Sequence, residues 1–286
     1  MINVGLSVRR ASLEDHQQIA GLLFHEANVH RHLDWRSPLD WLGSANYWVL
    51  EESGRILAAT ACPQDPPHVS WIRVFGYLPH LSGAEAWNAL WEFASADMER
   101  SCGSQVAAIV VKQWFQTLLL SSGFTPKQSI VLLELRGEYF LRSFPIPNGL
   151  RIRPMLEEDM QAVAELDLEA FGPFWHNTSS ALNRARSQAV YASVAEDACS
   201  VIGYQLSTGN PFGAHLARLG VRKKAQSRGI GAALVSDLVH NLDPIHLSRI
   251  SVNTQSDNAA SLSLYKKLGF VRTGEQFPVL VYPMDQ

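Results

Sequence analysis

The sequence is poor in the residues that build disulfide frameworks and structural metal sites. It has 3 cysteines in 286 residues, Cys62, Cys102 and Cys199, and they lie far apart. This odd, scattered set gives no disulfide pattern and no CxxC metal site. No apolar run reaches the roughly 18 residues that a membrane span requires, and the first ten residues lack the basic and apolar regions of a signal peptide. These absences predict a cytoplasmic protein without a membrane partner.

The chain also lacks an excess of either charge. It has 24 Lys and Arg against 27 Asp and Glu, a formal net charge of −3. A near-neutral balance gives no general attraction to nucleic acid, so no nucleic-acid partner is predicted. Apolar residues make up 47% of the sequence, which is enough for packed cores and excludes a disordered chain. The length favours two domains.

A weak internal repeat divides the chain. Residues 8–20 resemble residues 152–164 at an offset of 144, and Leu119-x-x-x-Gly-Phe resembles Tyr265-x-x-x-Gly-Phe at an offset of 146. A repeat of this length indicates duplicated domains and not a solenoid. The stretch between them contains two prolines and a glycine and reads as a linker. The predicted division is 1–138, a linker at 139–149, and 150–286.

Hydrophobic periodicity predicts the same mixture of elements in both halves. For the second half it predicts, in order, a strand at Leu150–Arg153, helices at Glu157–Ala170 and Ser179–Ala189, strands at Tyr191–Glu196, Val201–Ser207 and Ala214–Val221, a helix at Gly229–His240, a strand at His246–Asn253 and a helix at Asn258–Lys267. For the first half it predicts helices at Glu14–Phe24, Ala84–Met98 and Phe115–Ser121, and strands at Tyr47–Leu50, Ile56–Ala61, Val69–Phe75, Val106–Val111 and Ile130–Leu135. The expected fold class is α/β, with one mixed sheet per half.

One strand–loop–helix segment has the composition of an anion-binding loop. The predicted strand that ends at Val221 enters a loop with Gly229 and Gly231, and the loop opens a helix. Glycines allow backbone N–H groups to converge at a helix N-terminus, where the dipole favours an anion. The segment places four cations within seven residues without an acid between them, which suits a pyrophosphate: Arg222, Lys223, Lys224 and Arg228. A solvated basic turn is the alternative.

Two common phosphate-binding motifs do not match this segment. The dinucleotide motif GxGxxG requires a glycine at position 234, where Leu234 stands, and no Gly-Lys-Ser/Thr follows as a P-loop requires. A second segment, Asn258–Phe270, reads as a helix that begins at an Asn, contains Tyr265 and ends at Gly269. Asn258 and Gly269 could be simple helix caps, and a lone Tyr is more often a core residue than a catalytic one.

The segments Gln226–Gly231 and Asn258–Phe270, in this order, make residues 150–286 resemble the GCN5-related N-acetyltransferase family. The resemblance implies a mixed sheet that opens into a V after its fourth strand, with acetyl-CoA in the gap. It implies direct attack of a primary amine on the acetyl group within a ternary complex, with Tyr265 as the general acid. The residues that it assigns to acetyl-CoA are Leu219, Gly220, Val221, Gln226, Ser227, Arg228, Gly229, Ile230, Gly231, Ala232, Asn258, Ser261 and Lys267.

The sequence departs from the family at the general base. Two positions where similar proteins carry a Glu are occupied by Ala217 and Asn253. His215 is the candidate base, because strand alternation places it on the face of Ala217 and Leu219 and a histidine titrates near neutral pH. The weaker alternatives are Glu196, His176 and bulk solvent. No metal is predicted.

The first half reads as a degenerate copy that does not bind the cofactor. Ser82, Glu85 and Leu119 stand where the second half has Arg228, Gly231 and Tyr265, and a carboxylate would repel phosphates. The chain therefore resembles tandem members of the family in which one half shapes the acceptor site or a homodimer. The predicted acceptor is a small-molecule, protein or peptide amine. A non-catalytic acyl-CoA sensor is the alternative function.

Overall fold

The structure, a computed structural model, describes residues 5–24, 26–99, 105–136, 144–243 and 248–282. Cys102, part of the predicted linker and the start of the predicted strand His246–Asn253 lie outside these ranges. Within them, none of the helices has both the length and the apolar character that a membrane crossing requires.

Strands and helices follow a similar order in both halves. The first half contains β1 (Leu6–Arg10), α1 (His16–Phe24), β2 (Val29–Arg31), β3 (Tyr47–Glu52), β4 (Arg55–Ala61), β5 (Val69–Trp71), β6 (Val74–Tyr77), α2 (Gly83–Glu99), β7 (Gln105–Ile109), α3 (Gln113–Ser121) and β8 (Thr125–Arg136). The second half contains β9 (Arg151–Pro154), α4 (Met160–Trp175), α5 (Ser179–Gln188), β10 (Tyr191–Glu196), β11 (Val201–Asn210), β12 (Gly213–Val221), α6 (Ile230–Asn241), β13 (Arg249–Gln255), α7 (Ala259–Leu268) and β14 (Val271–Tyr282). The two orders differ in that the first half has β2 where the second has α5, and two strands, β5 and β6, where the second has β12. The α/β class is confirmed.

The chain forms two compact units. Of the described residues, 5–128 and 277–282 form unit 1, and 129–276 form unit 2. The end of β14 pairs with β7 in unit 1, whereas most of β8 pairs with β13 in unit 2. Strand β14, the last of the second half, therefore belongs partly to unit 1. Strand β8, the last of the first half, belongs mostly to unit 2. The division into 1–138 and 150–286 remains a prediction about the duplication.

An ion-pair arrangement that occurs in both units supports the duplication. Arg9 donates to both oxygens of Asp15 at 2.8 Å and to Glu51 at 2.8 Å. The hydrogen bonds from Arg9 are the main reason that the pKa of Asp15 is lowered. Unit 2 repeats this arrangement with Arg153, Asp159 and Glu196. The repeat in sequence thus corresponds to a repeated set of tertiary contacts. In each unit these contacts join the first strand to the residue before the first helix and to a later strand.

Unit 2 is one mixed sheet covered on both faces. Its strand order is β8-β13-β12-β11-β10-β9, and only the β12–β13 pair is parallel among these strands. Helix α6 packs on one face, against Leu216 and Leu219. Helix α4 packs on the other face, where Leu166 and Phe171 lie close to Gly220. The close approach of these side chains leaves no room for a Cβ atom at Gly220.

The sheet of unit 2 opens between its fourth and fifth strands. Strand β12 pairs with β13 only over residues 214–216, and the last pair is Leu216 with Val252. On its other side β12 stays paired with β11 as far as Val221. The pairing skips Ala217, since Leu206 faces Arg218 and Ser207 faces Leu216, so Ala217 forms a β-bulge. The bulge lies where the two strands separate.

In unit 1 the strands are divided between two sheets, and β2 is an additional strand. Strands β1, β3, β4, β6 and β2 form a five-stranded sheet, and β5 pairs with β7, which pairs with β14. The predicted strand Val69–Phe75 is wrong as a single strand. It divides at Ile72 and Arg73, because the chain there leaves the ladder with β7 and joins the one with β4. Strands β1 and β2 were not predicted.

Candidate functional site

The open edge of β12 presents unpaired backbone groups. The N–H of Arg222 donates to the carbonyl of Ile202 in β11, and antiparallel pairing alternates along a strand. The backbone groups of Leu219 and Val221 therefore face away from β11, toward the gap. The Val221 carbonyl accepts a bond from Gln226 Nε2 at 3.1 Å. What remains is the N–H of Val221 and both backbone groups of Leu219, which an extended ligand could pair with as a strand does.

The loop after β12 presents further N–H groups. Ser227 and Gly229 have positive φ angles of 62° and 85°, which turn the chain sharply into α6. Among the described residues, no hydrogen-bond acceptor contacts the backbone N–H groups of residues 227–232. Gly229 has only Pro147 near the position of a Cβ atom, at 3.8 Å. Because the first N–H groups of a helix point along its axis, this loop can hold an anion.

Gly231 has a packing role in addition. A Cβ atom at this position would lie 3.0 Å from the Leu264 side chain of α7. The second glycine of the loop thus allows α6 and α7 to approach each other. Ile230 and Ala232, on either side of it, are buried beneath the loop.

The basic cluster at residues 222–228 contacts an acidic side chain from a distant part of the sequence. Glu169, from α4, accepts from Arg222 at 3.0 Å and from the backbone N–H of Lys223 at 2.7 Å. These contacts, the backbone bond foremost, lower the pKa of Glu169. The segment itself contains no acid, as the sequence shows, but Arg222 is paired with Glu169, which lies 53 residues earlier. Lys223, Lys224 and Arg228 are exposed.

The Asn258 side chain caps α7. Its oxygen accepts from the N–H of Ser261 at 3.1 Å, and its nitrogen donates to Gln255 at 3.3 Å. Gly269 ends the same helix with a positive φ of 95°. Asn258 and Gly269 are therefore the N-terminal and C-terminal caps of α7, as one interpretation of the sequence predicted. Lys267 is exposed in the last turn of α7, and its ammonium lies 5.5 Å from the Phe144 ring centre.

Tyr265 is 4% exposed and packs against Phe270, with ring centres 5.4 Å apart. Burial raises the pKa of its hydroxyl, so the phenol stays protonated at neutral pH. A protonated phenol is the state that a general acid requires.

His215 lies on a different face from the one that alternation predicts. The Ala217 bulge reverses the alternation, so Leu216 and Leu219 both pack toward α6 although they are three residues apart. His215 therefore faces away from α6, opposite to Leu219, and the expectation that the two share a face is wrong.

A hydroxyl on the neighbouring strand holds the imidazole of His215. The Nδ1 atom lies 2.9 Å from the Oγ of Ser251, its partner in β13, and this Oγ lies 3.5 Å from the Ala214 carbonyl. Burial lowers the pKa of His215 to about 4. The imidazole is therefore neutral at pH 7 and has a free lone pair on one nitrogen.

Asn253 lies two residues beyond Ser251, on the same face of β13. Its Oδ1 atom is buried and has no hydrogen-bond partner among the described residues. The other base candidates are engaged elsewhere. Glu196 pairs with Arg153 at 2.9 Å, and the Nδ1 atom of His176 lies 3.0 Å from the Pro173 carbonyl.

A buried ion pair beside the bulge was missed by the sequence analysis. Arg218 donates to both oxygens of Asp167, at 2.7 and 2.9 Å, and to the Trp175 carbonyl at 2.7 Å. Tyr204 donates a short hydrogen bond to the same carboxylate, and the Asn177 N–H donates at 2.6 Å. These bonds fix the C-terminal end of α4 and the residues that follow it, as far as Asn177, above β12. The members of the ion pair lie 51 residues apart, and no local pattern signals them.

The corresponding region of unit 1 is closed. Strand β2 pairs with the edge of β6, with His30 opposite Phe75. The start of α2 is covered as well, since a Cβ atom at Gly83 would lie 2.7 Å from the Tyr77 ring. Within the described residues of unit 1, the edge of β6 and the N-terminus of α2 are therefore both covered. Within the described ranges of both units, no cluster of three or more His, Cys, Asp or Glu side chains is placed to hold a metal ion.

Comparison with known families gives a match over much of the second half. Residues 157–279 match the family described as Acetyltransferase (GNAT) domain. A mycothiol acetyltransferase of Amycolatopsis mediterranei is 29% identical over 177 residues, 54% of this chain and 58% of the relative. One from Pseudarthrobacter chlorophenolicus is 26% identical over 171 residues, 52% of this chain and 51% of the relative. The chain thus spans little more than half the length of these relatives.

Solved structures are similar over nearly the whole chain. A tandem GNAT protein from the clavulanic acid biosynthesis pathway has a TM-score of 0.67 and 16% identity, covering 98% of this chain and 99% of that one. A GCN5-related N-acetyltransferase from Sphaerobacter thermophilus has a TM-score of 0.64 and 15% identity, covering 100% and 98%. At these identities the likeness concerns the fold, which in both units is that of this family.

Proposed function

The chain is a member of the GCN5-related N-acetyltransferase family with two GNAT-like domains, and from this premise we propose that unit 2 transfers an acetyl group from acetyl-CoA to a primary amine. The observation that carries the proposal is the open edge of β12 beside the uncovered N-terminus of α6. Acetyl-CoA has an extended, amide-containing arm that can pair with a strand edge, and a pyrophosphate that suits a helix N-terminus. Both features lie on consecutive elements.

The residues present fit this ligand. Leu219, Gly220 and Val221 would pair with the arm, and the loop and first turn of α6 would hold the pyrophosphate. That second set comprises Gln226, Ser227, Arg228, Gly229, Ile230, Gly231 and Ala232. Asn258, Ser261 and Lys267 are proposed for the arm and the remaining phosphate. Since Asn258 already caps α7, its contribution would be to place the helix that carries Tyr265. Bound acetyl-CoA supplies a thioester that an amine can attack.

Two side chains are proposed for the proton transfers. The Tyr265 hydroxyl would donate a proton to the departing thiolate. His215 would accept the proton that the amine loses. If the Ser251 hydroxyl donates to the Ala214 carbonyl, then it accepts from Nδ1–H of His215, which leaves Nε2 as the basic nitrogen. The N–H groups of the open edge would polarise the carbonyl that is attacked, as an oxyanion hole does.

The acceptor is proposed to be a small molecule. The relatives are named for mycothiol, a small molecule, and this name is the reason to prefer that class over a protein or peptide amine. The Asp167–Arg218 pair supports it indirectly, because its hydrogen bonds with Trp175 and Asn177 hold the aromatic end of α4 and the loop after it in a defined position above β12. A fixed loop favours a compact acceptor over a flexible chain.

Steady-state kinetics with a panel of primary amines tests the proposal. We expect turnover of acetyl-CoA with at least one amine, and initial-rate lines that intersect when both substrates are varied, because direct attack requires both to be bound. Parallel lines would indicate an acetylated enzyme and would contradict direct attack. Tight binding of acetyl-CoA without turnover of any amine would favour the sensor, which the missing carboxylates at Ala217 and Asn253 suggest.

A further inference from the structure

Asn253 lies where the two strands of the open sheet separate. The last β12–β13 pair joins Leu216 to Val252, so Asn253 is the first residue of β13 beyond this pairing. On its other side it still pairs with Leu132 of β8. The backbone of Asn253 is therefore fixed by the sheet. Because Ile250 and Val252 face the α6 core, alternation places the Asn253 side chain on the opposite face.

The polar atom at this position is not satisfied by the protein. Asn253 Oδ1 is buried and has no partner among the described residues. A buried acceptor without a hydrogen bond costs free energy comparable to a lost hydrogen bond, and native proteins rarely leave one. Such an atom in a native protein requires an explanation, and a ligand group that donates to it is one.

Two side chains, those of Ser251 and His215, lie near the Asn253 side chain. Ser251, two residues earlier on the same face, contacts His215 at 2.9 Å. The proposed base and the unsatisfied oxygen therefore lie on one face of the sheet at the mouth of the gap. Unit 1 has Ala107 at the corresponding position of β7, since the pairs Ser70–Val106 and Leu216–Val252 are related by an offset of 146. Ala107 is fully buried, so this position of the fold does not need a polar side chain.

We propose that the side-chain oxygen of Asn253 accepts an N–H bond from the acceptor amine and so forms part of the amine-binding site; the proposal rests on the acetyl transfer proposed above. An amine has the N–H donors that this oxygen lacks in the free protein. A carboxamide is uncharged, so it favours the protonated form of the amine far less than a carboxylate does. The attacking amine must be neutral, and a carboxylate at the same place would stabilise the ammonium form.

The thermal stability of Asn253→Leu, measured without any ligand, is the first test. Leucine has the same number of side-chain heavy atoms as asparagine and no polar group. Replacing an unsatisfied buried amide by this side chain should raise the melting temperature by about 2–4 °C. Gln255→Leu is the matched control on the same strand. The Gln255 oxygen already accepts from Asn258 at 3.3 Å, so its loss should give no gain in stability.

Kinetics are the second test, with benzylamine, putrescine, glucosamine and alanine amide as probes. For the amine that the wild type acetylates fastest, Asn253→Leu should raise the KM of the amine about 10-fold, as expected for one lost hydrogen bond. The affinity for acetyl-CoA should be unchanged in calorimetry. Asn253→Ala, which copies unit 1, should raise KM similarly, whereas Asn253→Asp keeps an oxygen in place and should keep KM within about threefold.

Each result either supports or overturns the proposal. If Asn253→Leu is not stabilised relative to Gln255→Leu, the oxygen is satisfied in the free protein and the proposal is wrong. If the variant is stabilised but the amine KM is unchanged for both Leu and Ala, the amine does not use this oxygen. If the wild type acetylates no probe while binding acetyl-CoA, the proposed transfer fails first and this proposal falls with it.

Discussion

The two units have a similar order of elements and differ most at one strand edge. In unit 1 the edge of β6 is paired with β2. In unit 2 the corresponding edge of β12 is open from Ala217 onward. Both strands have an antiparallel neighbour on the far side, β4 for β6 and β11 for β12, and both precede a helix. A short strand of the chain itself is therefore enough to occupy the place where unit 2 could hold a ligand.

The difference extends to individual side chains. The pair Val69–Gln105 in unit 1 corresponds to His215–Ser251 in unit 2, at an offset of 146 in both strands. The same offset places Leu119 at the position of Tyr265, and both residues precede a glycine with positive φ. Val69 and Leu119 are buried and apolar. The unit with the closed edge thus lacks the polar groups at the positions of His215 and Tyr265, and both differences point to one functional site per chain.

The largest expected effect is the loss of cofactor binding in Gly231→Glu. This substitution places a carboxylate at the phosphate site, and its Cβ atom would lie 3.0 Å from the Leu264 side chain, which would have to shift. We expect the Kd for acetyl-CoA to rise more than about 100-fold, since a like charge and steric exclusion act together. Calorimetry on the wild type should give one site per chain.

The reverse exchange, Glu85→Gly, sharpens the comparison. It removes the carboxylate from unit 1 but leaves β2 and Tyr77 in place, so the stoichiometry should stay at one. A second site in this variant would show that the carboxylate, and not the closed edge, prevents binding in unit 1.

The next effect in size is expected for Tyr265→Phe, which changes the residue toward the apolar one of unit 1. The turnover number should fall about 10²- to 10³-fold, as is typical for the loss of a positioned acid, while acetyl-CoA affinity changes little. Tyr191→Phe is the control. It removes a hydroxyl that donates to Asp237 at 2.9 Å and should leave turnover within about twofold. Equal losses of affinity and turnover in Tyr265→Phe would make the phenol a packing residue.

His215→Val copies unit 1 at the proposed base. The pKa of His215 is lowered to about 4 by burial, so the imidazole is unprotonated above about pH 5 and loses its lone pair only as the pH falls through 4. We expect turnover at pH 7 to fall about 10- to 10²-fold and to recover partly at higher pH, where hydroxide can act as base. A pH–rate profile identical to that of the wild type would leave proton removal to solvent.

The smallest effect concerns the basic loop. Affinity for CoA should weaken as ionic strength rises, because Lys223, Lys224 and Arg228 are exposed and screened by salt. Lys224→Ala and Arg228→Ala should each weaken binding about two- to fivefold, and dephospho-CoA should bind less tightly than CoA. Arg222→Gln should have a smaller effect on the salt dependence, because Glu169 already neutralises Arg222. Equal affinity for CoA and dephospho-CoA would show that the cluster is only solvated.

The sequence alone determined the local parts of this protein. The repeat predicted two copies of one fold, and the paired contacts of Arg9 and Arg153 bear this out. The positions of Gly229 and Gly269 predicted a helix start and a helix end, and both have positive φ. These features depend on a few consecutive residues, whose side chains and backbone angles set the local conformation whatever lies nearby.

Only the tertiary structure decided which strand edges are paired. Nothing in the spacing of β2 shows that it closes β6, because pairing depends on which edge a short strand reaches when the chain is folded. The Ala217 bulge was likewise decided by the tertiary structure and not by the local sequence. It arises from the register between β11 and β12, and it moved His215 to the other face of the sheet. A shift of one residue exchanges the faces of a strand, and periodicity in the sequence cannot reveal it.

Partners that lie far apart in sequence were also beyond prediction. Glu169 and Arg222, or Asp167 and Arg218, come together because α4 packs across β12, at separations of 53 and 51 residues. Charge patterns report only on neighbours in the chain, and so the sequence showed a basic loop where the structure has a partly neutralised one. The turns and helix ends of the site could thus be predicted from the sequence. The partners of its charged side chains, the face on which His215 lies and the open edge of β12 depend on contacts that form only when the chain is folded.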